Sequence, residues 1–289
     1  MASTRHEAEG VSGRGLSPAI WQQYGFIGGN LDDPSLKTFF FDDFAGLGVH
    51  ATTVSQGGYM MFGDTGVTIQ SAAAADNSEG EFGLLEVDGN DADNDEGYLE
   101  LGGGKSGLVR IDDTVGERAV VAFEARIKRT SVTDNHTAFA FGIGEPGFAA
   151  QDALVANTAA LCAAGKDFIG FQTLTASNDE IDVVYQIGST ATVNQVKDNA
   201  ATSVAATWMK LGCVFDPHAA KDKKLKFFID GEEIVPTTAV TDAVIAAGTA
   251  FPTDEEMTLV LLTRNGDGTS TAHAVQMDWW AVGTMPVDV

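Results

Sequence analysis

Two cysteines, seven prolines and seventeen basic side chains in 289 residues exclude several common designs. With only Cys162 and Cys213, a disulfide framework cannot be built, and both thiols are expected to be reduced and structural. Apolar runs are short and interrupted, and none approaches the ~20 residues of a membrane-spanning helix. The opening MASTRHEAEGVSGRG is charged and Gly/Ser-rich and lacks the apolar core of a secretory signal, so export by the general route is not expected. Seventeen Lys and Arg against 41 Asp and Glu give a formal charge of −24. That field repels nucleic acid and favours solubility, so neither a nucleic acid nor a membrane is an expected partner. His6, His50, His136, His218 and His273 are scattered without zinc-ligand spacing, and no serine sits in a Gly-x-Ser-x-Gly turn.

What the chain does have is alternation. In Trp208–Pro236, Met209, Leu211, Cys213 and Phe215 alternate with polar neighbours, as do Leu225, Phe227 and Ile229. This is the period of strands with one buried face. Asp230-Gly231 supplies the positive φ angles of a tight hairpin turn, and Asn265-Gly266-Asp267-Gly268 predicts a second one. Further strands are predicted at 59–62, 67–70, 98–101, 109–111, 119–128, 138–143, 168–174, 181–187 and 257–264, with a closing strand at 275–282. Ala149–Ala164 is compatible with a short helix, and Thr241–Ala250 reads as a loop or single turn. Residues 1–36 read as an N-terminal arm and 37–289 as one domain. Trp21, Tyr24 and Phe26 are large aromatics that a solvated tail would not favour, so the arm is expected to dock on the domain or on a neighbour.

The pattern Trp208-x-x-Leu211-Gly212-x-x-Phe215-Asp216, basic residues, strand, Asp230-Gly231 resembles the concanavalin A-like superfamily of laminin-G domains, legume lectins and glycan hydrolases. The resemblance implies an all-β, antiparallel jelly-roll sandwich in which the opening Phe40-Phe41-Asp42-Asp43-Phe44 lies near the closing Met277-Asp278-Trp279-Trp280. Asn178–Tyr185 resembles the Glu-Ile-Asp-x-Glu strand of laminarinase-like hydrolases, with Glu180 and Asp182 at the first two acidic positions. The third falls on Val184, or on Tyr185 with a bulge, and neither can protonate a leaving sugar. No catalytic residue is therefore assigned.

Three binding features remain. Residues 88–97 pack five carboxylates, and Asp88, Asp91, Asp93 and Asp95 are the candidate calcium ligands through hard oxygens, although the spacing is not that of an EF-hand. Asp42, Asp43 and Asp278 are weaker alternatives. Trp208, Trp279 and Trp280 are candidates for stacking on sugar rings; adjacent strand residues face opposite ways, so one of Trp279 and Trp280 should be core. Gly102-Gly103-Gly104-Lys105-Ser106 imitates the tail of a phosphate loop, but Leu108–Ile111 after it is strand-like where a helix is required.

Phe139–Leu174 resembles concanavalin-like proteins encoded among the structural genes of tailed bacteriophages. That resemblance implies a virion structural protein, a capsid decoration or cement protein bound to the major capsid protein and clustered around a symmetry axis. Trp21, Tyr24 and Phe26 would be its anchors. The alternative is a lectin-like carbohydrate-binding module, and the third reading is a glycan hydrolase acting from Glu180 and Asp182.

Overall fold

The computed structural model describes residues 15–26, 37–44, 54–56, 58–63, 67–71, 85–88, 95–114, 117–134, 136–148, 165–174, 176–188, 192–265 and 274–286. Its strands in chain order are β1 (Thr38–Asp42), β2 (Val54–Gln56), β3 (Tyr59–Gly63), β4 (Thr68–Ser71), β5 (Leu85–Asp88), β6 (Glu96–Leu101), β7 (Val109–Arg110), β8 (Ala119–Arg129), β9 (Thr137–Gly144), β10 (Phe168–Leu174), β11 (Ser177–Ile187), β12 (Thr192–Thr202), β13 (Met209–Phe215), β14 (Leu225–Ile229), β15 (Glu232–Glu233), β16 (Glu256–Asn265) and β17 (Ala274–Pro286). Two short helices, α1 (Pro18–Trp21) and α2 (Asp242–Ala247), complete the described elements.

The strands form two antiparallel sheets. One runs β15-β14-β13-β8-β17-β5-β4, with β1 also on β17; the other runs β12-β11-β10-β9-β16-β6-β3-β2, with β7 on β16. The expected closure of first strand on last is present, with Phe41 opposite Ala281 and Asp42 opposite Trp280. β17 shares its second edge between two neighbours. Ala274–Met277 pair with β5 and Trp280–Thr284 with β1, while the opposite edge pairs with β8 through a bulge at Met277/Trp279.

Alternation fixes which face each strand buries. On β8, Val121, Phe123, Ala125 and Ile127 point between the sheets, where they meet Phe141, Phe171, Phe215, Phe227 and Trp280 in one core. Phe123 and Phe141 meet edge-on with centroids 5.7 Å apart, and Phe171 and Phe227 at 5.6 Å. Such pairs add ~0.5–1.5 kcal/mol beyond their area. Trp280 stacks on Tyr59 at 5.7 Å and donates its indole N–H to the Tyr59 hydroxyl at 3.3 Å. Tyr59 in turn donates to Asp42.

The arm docks on its own domain. Ile20, Trp21 and Phe26 are fully buried against Val120, Ala122, Val214, Phe228 and Ala281 on the outer face of the eight-stranded sheet. Burying Ile20 and Phe26 contributes about 2 kcal/mol each. Trp21 meets Phe26 and Phe39 edge-on at 5.4 and 5.2 Å. This corrects the expectation that Trp21, Tyr24 and Phe26 anchor a neighbour: Trp21 and Phe26 are occupied within the chain, and half-buried Tyr24 accepts from Lys226 Nζ at 3.0 Å.

Two other expectations change. β16 and β17 lie in different sheets, so these two strands do not form the hairpin expected at Asn265-Gly266-Asp267-Gly268, of which 266–268 lie outside the described residues. Thr241–Ala250 contains α2, whose N-cap Thr241 accepts from Val244 N and whose C-cap Gly248 is left-handed, with φ 61°. The Ala149–Ala164 helix and Cys162 lie outside the described residues. Cys213 is buried and free, as expected. Asp230-Gly231 turns with φ 53° and 81°, both positive as a primed hairpin requires.

Candidate functional site

β11 carries Glu180, Asp182 and Val184 on the outer face of the nine-stranded sheet, where Asp182 stands opposite Gln172 and Val184 opposite Gly170 of β10. On its other side β11 meets β12 irregularly. Ile181 pairs with Ala201 but Val183 with Lys197, so β12 inserts extra residues where β11 passes Asp182. A bulge re-aims side chains, and such features concentrate beside functional sites. Here it places Asn199, at φ 44°, over the two acids. Asn199 donates its backbone N–H to Asp182 Oδ1 at 3.0 Å and its side-chain amide to Glu180 Oε1 at 2.9 Å. Exposed Gln195 and Asp198 flank it, joined by a 3.0 Å hydrogen bond.

Burial pushes the Asp182 carboxyl above its ordinary range, with the neighbouring Asp198 and Glu180 charges adding to the shift and the Asn199 N–H opposing it. A half-buried acid, a buried acid and exposed amides thus converge at one sheet edge. They offer both donors and acceptors to a polyhydroxylated ligand. The third register of the strand holds no acid: Val184 occupies it and is fully buried, while Tyr185 points into the core, 5.1 Å from Phe251 between ring centroids. Sequence reading missed Asn199, because β12 breaks the period-2 pattern at the bulge that positions it.

The tryptophans are placed otherwise than stacking requires. Trp280 is core, and Trp279, only 4% exposed, lies under Phe41 of the same eight-stranded sheet at 5.9 Å. Neither presents a face to a sugar. Trp208 is half-buried, with the Arg126 guanidinium 4.3 Å and the Lys128 ammonium 4.5 Å from its ring centroid. Arg126 also pairs with Asp278 at 2.5 Å, which commits that aspartate.

Of the candidate calcium ligands, Asp91 and Asp93 lie outside the described residues, as does the Asp88 side chain; Asp88 closes β5, and half-buried Asp95 precedes β6. Asp42 is taken by Tyr59 and by Phe44 N, the latter at 2.7 Å. A different acidic trio, Asp112, Glu117 and Asp254, gathers around Arg110, which lies 3.2 Å from Asp112 and 3.4 Å from Glu117 and also pairs with Asp254. The guanidinium supplies the positive charge there. The Gly102–Ser106 segment is a loop between strands, with left-handed Gly102, Gly103 and Gly104, and no helix follows it.

No known protein family matches the sequence, and no curated protein matches it either. Solved structures do match in shape. The endo-1,3-β-glucanase from Streptomyces sioyaensis superposes with a TM-score of 0.56 at 15% identity, over 88% of this chain and 99% of that one. Peanut lectin bound to a nine-residue peptide gives 0.52 at 14%, over 88% and 99%. A non-specific endo-β-1,3(4)-glucanase of family GH16 gives 0.52 at 12%, over 88% and 93%. At such identities the likeness is one of architecture: this chain has the concanavalin A-like β-sandwich fold of lectins and glucanases.

Proposed function

We propose that the protein is a non-catalytic glycan-binding module whose site is the bulged β11–β12 edge of the nine-stranded sheet. The observation that carries this reading is Asn199, held by the bulge so that its amide bridges toward Glu180 while its backbone binds Asp182. Sugar hydroxyls are bound by such fixed carboxylates, which accept hydrogen bonds, and by amides, which both give and take them. The lectin and glucanase neighbours support the reading, because both kinds of protein hold carbohydrate on this architecture. The register that holds the third acid of laminarinase-like strands is taken here by buried Val184, and this favours binding over hydrolysis.

A glycan array with and without calcium tests the proposal. Retention of a defined glycan, weakened at least tenfold by Asn199→Ala and by Glu180→Gln with an unchanged melting temperature, is the expected result. Release of reducing sugar from β-1,3-glucan would instead favour the hydrolase reading. Adhesion to a capsid shell remains the second reading, although its expected anchors Trp21 and Phe26 face inward. No retained glycan together with saturable co-sedimentation on undecorated capsids would replace the first reading with the second.

A further inference from the structure

The sandwich is open along one edge. Between β14–β15 of one sheet and β11–β12 of the other lies a cavity of about 340 Å³, within the ~300–1,000 Å³ of small-molecule sites. Val183, Val196, Phe227, Ile234 and Val240 line it, and all five belong to, or pack on, the central core. The strap that follows β15 crosses from one sheet to the other here. Its Thr237 and Thr238 N–H groups both reach the Val196 carbonyl at 3.0 Å, so the roof is fastened at one point on β12. The cavity is therefore an apolar slot entered from the surface.

Its mouth carries an unusual charge for this molecule. In a chain with 17 basic and 41 acidic residues, Lys197, Lys223 and Lys226 all border this opening. Two carboxylates share it. Asp222 is held by Asp242 N, which donates to it at 3.0 Å, and Glu233 lies 3.9 Å from Lys226. Lys226 is further engaged by Tyr24. Exposed Lys223 and half-buried Lys197 form no ion pair among the described residues. Two uncommitted ammonium groups above an apolar slot match a ligand with an anionic head and an apolar tail.

We propose that this slot binds single-chain anionic amphiphiles, with the tail between the sheets and the head against Lys197 and Lys223. At ~30 Å³ for a group of water or methylene size, the volume holds a tail of about ten carbons. The site is separate from the outer-face glycan site, and either can fail without the other.

Titration calorimetry with decanoate, below its micelle concentration, tests the proposal. One-to-one binding is expected, tightening about fourfold per methylene from hexanoate to decanoate. Lys197→Glu/Lys223→Glu should weaken it at least tenfold. Ala239→Trp, which fills the slot from the exposed strap, should abolish it while circular dichroism stays unchanged. Should the tryptophan variant unfold, Pro236→Trp serves the same purpose. Equal binding of decyltrimethylammonium would overturn the anionic head, and undiminished binding by both tryptophan variants would overturn the location. No decanoate binding would overturn the proposal outright. A concentration-dependent dimer lost in Ala239→Trp would then assign the slot to a second copy of the chain.

Discussion

Buried polar side chains carry the sharpest consequences at the scale of single residues. Glu124 lies under the docked arm, accepting from Ser17 N at 3.0 Å and from the Trp21 indole at 2.7 Å. Burial raises its carboxyl above the ordinary 4.5, outweighing those hydrogen bonds and the Lys210 charge. The folded state thus holds a proton that the unfolded state releases, and this contribution is complete below pH 4.5 and lost as pH rises through the raised value. Glu124→Gln keeps an acceptor for Trp21 and cannot ionise. Its melting temperature should therefore gain on that of the wild type between pH 5 and pH 8; a constant difference across that range would refute the assignment. Arg129 is a second case. Its guanidinium donates to Asn178 Oδ1 at 2.8 Å and also binds the Asn178 carbonyl and the Ser203 hydroxyl. Burial lowers its pKa to about 10, partly countered by Asp179, so it stays charged at neutral pH. Arg129→Met strands these acceptors and should cost about 3 kcal/mol, measured by urea unfolding.

At the scale of elements, glycine marks where backbone approaches backbone. A Cβ on Gly142 of β9 would lie 2.1 Å from the Ile169 carbonyl oxygen on β10, so Gly142→Ala should cost about 1–3 kcal/mol. Gly231, at φ +81°, closes the β14–β15 turn and lies against Ser17 of the arm, where a Cβ would meet Ser17 Oγ at 3.1 Å. Gly231→Ala should cost ~1–2 kcal/mol from backbone strain and should also loosen the arm, seen as a red shift of Trp21 emission. The same elements show what the sequence makes legible. β8, β13 and β14 alternate in hydrophobicity because one face meets the core, and β16 is a nearly continuous apolar run because both its faces are buried; all four are readable from the order of residues. β12 is not, because bulges at Val196 and around Asn199 shift its register and polar side chains fall on both faces. The two acids of the candidate site are therefore visible in the sequence, while the amide that organises them is not. The connection between β16 and β17 is illegible for a related reason. Asn-Gly and Asp-Gly favour reversal of direction, but turn chemistry does not specify whether the next strand joins the same sheet.

For the whole molecule, a formal charge of −24 works against compactness. Raising salt from 50 to 500 mM shortens the reach of that repulsion from above 10 Å to a few Å. The melting temperature should rise over this range, and a fall would show that ion pairs such as Arg126–Asp278 outweigh the general field. The arm adds cohesion of another kind, because it brings residues 15–26 onto strands formed more than ninety positions later. β17 extends this logic to its limit. It lies at the middle of the eight-stranded sheet, between β8 on one side and β5 and β1 on the other, so it joins residues that are far apart in the chain. Pairings of such long range raise contact order and slow folding toward milliseconds to seconds. During synthesis β8, β5 and β1 leave the ribosome with open edges and wait for residues 274–286 to fill the gap between them. In that interval the exposed edges can pair with other nascent chains, and the strand that completes the sheet is also what ends that exposure.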